Sequence, residues 1–117
     1  MKNFIAIKQT PLITAVSLLL SASASANCDF PNSIAVPDGN TASESELVAS
    51  QAAIKQYMAS AEDYIACLDE EAEAIGPEIT EDQMRMRDMR HDSAVDEMEK
   101  LASEFNAQVR AYKRNNK

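Results

Sequence analysis

Residues 41–75, TASESELVASQAAIKQYMASAEDYIACLDEEAEAI, contain neither proline nor glycine and are followed at once by Gly76-Pro77. Leu47, Ile54, Ala61, Leu68 and Ile75 recur at every seventh position, and Gln51, Met58, Ile65 and Ala72 form a second column with the same spacing. A doubled seven-residue repeat of this kind marks a helix that packs along another helix. Thr41 followed by Glu44 has the form of a capping box, in which a hydroxyl and a carboxylate satisfy two unpaired amides. A long helix over 41–75 is therefore expected, ended by the helix-breaking Gly-Pro pair.

The connection Gly76-Pro77-Glu78-Ile79 is short, which favours an antiparallel neighbour. Thr80 and Gln83 form a second capping-box pattern, and a helix over about 80–113 follows. Its stripe reads Met84, Asp88, His91, Val95, Met98, Ala102, Phe105, Val109 and Tyr112, with Ala94 and Leu101 flanking it. Asp88 and His91 weaken the stripe near the turn, so that end is expected to pack less firmly. Arg110, Lys113, Arg114 and Lys117 gather at the C-terminal end, where positive charge suits the helix dipole. Residues 115–117 are expected to fray.

Upstream of residue 41 the composition changes. Residues 27–40 carry Pro31 and Pro37 and close on Pro37-Asp38-Gly39, so they read as an extended arm with a turn into the helix. The arm holds Cys28, and the first helix holds the only other cysteine, Cys67. Cys67 lies roughly 39 Å along the helix from Thr41. The arm reaches at most ~43–47 Å when extended. A Cys28–Cys67 bond thus requires the arm to run nearly straight and antiparallel to the helix. Ala52, Ala53, Ala59, Ser60, Ala66 and Cys67 form a track of small side chains on which such a strap could lie. Phe30, Ile34 and Val36 are its candidate apolar contacts. The expected fold is all-α: a long antiparallel two-helix hairpin with an extended N-terminal strap tied by a disulfide.

Residues 1–26 have the form of a cleaved secretory signal peptide. Lys2 and Lys8 precede an apolar run from Pro11 to Leu20, and Ala24-Ser25-Ala26 supplies the small-residue cleavage site. Ser25 and Asn27 do not match the pattern for lipid attachment at Cys28. Cleavage after Ala26 leaves residues 27–117 in the periplasm or outside the cell, an oxidising setting in which two cysteines pair. Two of the 11 basic residues lie before Asn27 and all 19 acidic residues after it, so residues 27–117 carry a formal charge of −10. Such a surface disfavours nucleic acid and anionic headgroups. A chain of this size has difficulty burying enough apolar surface, and a covalent staple or a second copy is expected to help.

Little in the chain points to catalysis. There is no Gly-rich phosphate loop, and His91 has no thiol partner. The run Asp69, Glu70, Glu71 and Glu73 lacks the glycine turn of a calcium loop and reads as a solvated helix face. Met84, Met89 and His91 are soft donors within one helical stretch and are the candidate ligands for Cu(I) or Ag(I), although Arg85, Arg87 and Arg90 are interspersed with them. Methionine is equally a helix former and gap-filler. No cofactor is expected. Tyr57 and Tyr64, seven residues apart beside the main stripe, either flank the intramolecular seam or widen it enough to bury a second hairpin.

Cys28, Pro37-Asp38-Gly39, Ala53-Ile-Lys-Gln-Tyr57, Tyr64-Ile-Ala-Cys67-Leu68 and Phe105-Asn106 with Val109-Arg-Ala-Tyr112-Lys113 together resemble a group of small exported proteobacterial proteins. That resemblance spans most of residues 27–117 and implies compartment and helical fold, with no activity attached. Ile79-Thr80-Glu81-Asp82-Gln83 is also similar to the Leu-Thr-x-x-Gln motif of the Spy/CpxP-type periplasmic chaperones, in a single copy with isoleucine for leucine. Two functions follow as expectations. The first is a non-enzymatic structural or protein-interaction module whose partner is another protein or a second copy of itself. The alternative is an envelope-stress chaperone or metal-buffering protein.

Overall fold

A computed structural model describes residues 27–117; the signal-peptide reading of 1–26 lies outside the described residues. Two helices, α1 (Glu44–Ile75) and α2 (Glu81–Asn115), pair as a hairpin through a single 3-10 turn, Gly76–Glu78. Gly76 makes the break with φ of 70°, a conformation that L side chains rarely adopt. Thr80 caps α2 as expected: its hydroxyl accepts from the Gln83 amide, and the Gln83 side chain accepts from the Thr80 amide.

The start of α1 differs from expectation by three residues. Ser43, not Thr41, is the cap, with Glu46 completing the box. Thr41 is used one step earlier: its amide and that of Ala42 donate to the Asp38 carbonyl, at 3.1 and 2.8 Å. The Asp38 carboxylate in turn accepts from the Asn40 amide. The Ser43 amide and hydroxyl hold the Glu46 carboxyl below its ordinary value.

Residues 27–40 form the extended strap, and Cys28 is bonded to Cys67 with their Cα atoms 5.7 Å apart. The strap does not lie on the small-residue track. Ala52, Ala53, Ala59, Ser60 and Ala66 are all exposed. Instead Phe30, Ile34 and Val36 pack against Ile54, Tyr57, Ala61 and Leu101, so the strap covers the groove between the two helices. Small side chains offer a strap little area, whereas two tyrosines and a leucine on facing helices offer walls on both sides.

This third segment also shifts the seam of α2. Ala94 and Leu101, expected to flank it, are buried in its core, with Met98 and Phe105 of the expected stripe packed beside them, and Ala111 is buried nearer the C-terminus. No α2 residue before Ala94 is buried, in keeping with a loosely packed turn end. At the far end of the strap, Gly39 is buried and presses its backbone onto Gln108. Its amide donates to the Gln108 side-chain oxygen at 2.9 Å. Asn115 donates to Asn40 at 2.9 Å just beyond.

Candidate interaction surface

The strap decides what the tyrosines do. Phe30 meets Tyr57 at 5.9 Å and Tyr64 at 5.2 Å between ring centroids, both edge-to-face. Tyr57 and Tyr64 are left 6% and 8% exposed. The face they widen is thus largely covered from within the chain by the strap, the arrangement in which they flank the intramolecular seam. Burial, with the Glu97 charge added, pushes the Tyr57 phenol above its ordinary pKa.

Arg90 closes the disulfide end of the strap. Its guanidinium donates to the Tyr64 hydroxyl at 3.1 Å, to Glu71 at 3.2 Å and to the Cys28 carbonyl at 3.2 Å, and it sits 5.5 Å from the Tyr64 ring centroid. The bond to Tyr64 contributes most to raising its pKa, and burial opposes it. One turn away, Arg87 pairs with Asp69 and, at 2.8 Å, with Asp88. The acidic run is therefore split: Asp69 and Glu71 are bonded across the hairpin, while Glu70 and Glu73 face solvent. Sequence reasoning assigned Arg87 and Arg90 no role. Placing the α2 seam through Ala94 and Leu101 would have found Arg87, which stands seven residues before Ala94.

The methionines of the turn end are not packed away. Met84, Met86 and Met89 are 49%, 57% and 59% exposed. Met86 and Met89 line a groove of about 330 Å³ with Phe30, Tyr64, Arg90 and Ala94. A second groove of about 180 Å³ continues toward the turn between Leu68, Ala72, Ile75, Ile79 and Met86. Met86 and Arg90 line both grooves.

Of the candidate metal ligands Met84, Met89 and His91, only Met89 lines these grooves. His91 bonds through Nδ1 to the Asp92 carboxylate at 3.2 Å. Among the described residues, Cys28, Cys67 and Glu71 approach one another closely enough to hold a metal, but both sulfurs are committed to the disulfide. No described helix is long and apolar enough to cross a membrane.

Fold and surface together define a disulfide-strapped helical hairpin with an open, methionine-lined groove at its turn end. No family model, curated protein or solved structure matches this chain.

Proposed function

We propose that the protein is an exported, non-enzymatic interaction module that binds another protein through the turn end of its hairpin. In this reading residues 1–26 are the signal peptide, removed after Ala26, and the remainder works in the periplasm or outside the cell. The observation that carries it is the pair Met86 and Met89, exposed in a groove beside a strap that is fixed at both ends. Unbranched, polarisable thioethers adapt to varied apolar partners, and a rigid wall beside them lowers the ordering cost of binding. An intramolecular disulfide suits an oxidising compartment. The commitment of both cysteines to that bond leaves no thiol nucleophile, in keeping with a role without catalysis.

Photo-crosslinking amino acids placed at positions 86 and 89, and at 52 and 53 as controls, test the proposal in the cell envelope. Protein adducts are expected from the first pair and not from the second. Equal labelling at both pairs, or none at 86 and 89, overturns it. Exposed methionine also suits an envelope chaperone, which would suppress aggregation of many unfolded clients where a dedicated module would give one adduct.

A further inference from the structure

The charge of the molecule is unevenly placed. Residues 68–97 hold eleven acidic and three basic side chains, a formal charge of −8, out of −10 for residues 27–117. All three bases are already committed: Arg85 to Asp82, Arg87 to Asp69 and Asp88, and Arg90 to Glu71. Among the described residues Glu70, Glu73, Glu78, Glu81 and Glu97 form no ion pair. The apolar track at this acidic end is made of two neighbouring grooves that share Met86 and the paired Arg90, one reaching Phe30 and Met89 and the other Ile75 and Ile79. The strap runs along the inter-helix groove from Gly39 to Cys28; the first groove of the track lies beside Phe30 and the second beyond Cys28, toward the turn.

We propose that the track is the docking site for a cationic amphipathic helix, a segment of another protein with one apolar face flanked by lysine or arginine. The proposal rests on the reading of the protein as an interaction module and adds the chemistry of its partner. An amphipathic helix seats its apolar side chains in a groove, and flexible methionines accommodate their shapes. From Tyr64 to Ile75 α1 rises about 16 Å, which matches three turns of a docked helix. Glu97 lines the groove beside Met89, where it meets a flanking base, and the acidic end speeds encounter through long-range attraction. Track-to-track docking of a second copy is disfavoured, because it would bring two ends of charge −8 together. Anionic bilayers and nucleic acid are repelled for the same reason.

The test uses the chain expressed from its own start and recovered in exported form. Its probe is a labelled leucine–lysine peptide of about 14 residues with apolar spacing i, i+3, i+4, i+7. Two controls replace lysine by glutamate or leucine by serine. Fluorescence anisotropy is expected to show binding of the leucine–lysine peptide that weakens steeply with salt, and no binding of the glutamate control. The serine control, and the wild-type probe on the M86S/M89S double variant, are each expected to bind at least about tenfold more weakly. Both substitutions lie on exposed positions, and an unchanged circular dichroism melt confirms that the fold is retained. Equal binding of lysine and glutamate peptides overturns the cationic partner while leaving an apolar interaction module standing. Equal binding by the double variant overturns the track as the site. Failure of all three peptides, with crosslinks still forming at position 86, overturns the amphipathic-helix partner alone.

Discussion

Arg90 donates to the backbone carbonyl of Cys28 at 3.2 Å, joining the second helix to the strap across 62 residues of sequence. The disulfide at the same residue joins the strap to α1. One end of the strap is therefore held by both helices, covalently by one and by a charged donor on the other. The opposite end is held by Gly39 on Gln108.

Removal of the disulfide is expected to loosen the strap first. A bond closing a loop of 39 residues stabilises by about 4 kcal/mol in the chain-entropy description. Cys28→Ser with Cys67→Ser should lower the denaturant midpoint by a corresponding amount. Hydrogen exchange should quicken at residues 28–39 more than within Ile54–Leu68.

Arg90→Ala is expected to cost about 1–3 kcal/mol, because it removes donors to the Tyr64 hydroxyl and the Cys28 carbonyl together. The contact with Glu71 adds little, since that pair is partly solvated. Arg90→Lys should recover less than half, as an ammonium lacks the fork that reaches several acceptors at once. Urea unfolding of the three proteins measures this.

Gly39→Ala tests the close approach at the other end. An added Cβ would collide with the carbonyl oxygen of Gln108 and lie 3.0 Å from the Tyr112 amide nitrogen, both backbone atoms that cannot move aside. The strap must lift, at about 1–3 kcal/mol. Gln108→Ala removes only the hydrogen bond and should cost about 1 kcal/mol. A smaller loss for Gly39→Ala than for Gln108→Ala would contradict the packing described.

Tyr57 sets an alkaline limit. Its folded pKa is raised, so the phenol is neutral in both states below about pH 10 and contributes its full stability there. Above that, the unfolded chain ionises first, and stability falls as pH rises through the folded value. Tyr57→Phe is expected to flatten this decline and to remove a late component from the absorbance titration of the 3 tyrosines.

What the sequence by itself determined is what local chemistry specifies. The seven-residue columns from Leu47 to Ile75 require a long helix, Gly76-Pro77 ends it, Thr80 with Gln83 restarts one, and the prolines at 31 and 37 keep the arm extended. Two cysteines in an oxidising setting indicated the Cys28–Cys67 pair, and reach required the arm to run antiparallel to the helix. The finer choices were open. Thr41 and Ser43 both carry a glutamate three residues on, and only the Asp38 turn selects between them. The strap's path was misjudged because a column of small residues looks like a bed for a chain. Tertiary structure placed it over Tyr57 and Tyr64, where facing helices bury more area, and thereby turned the α2 seam toward Ala94 and Leu101. A helical pattern states which face is apolar but not how many segments share it. The strap, once seated, covered the tyrosine face and left Met86 and Met89 exposed.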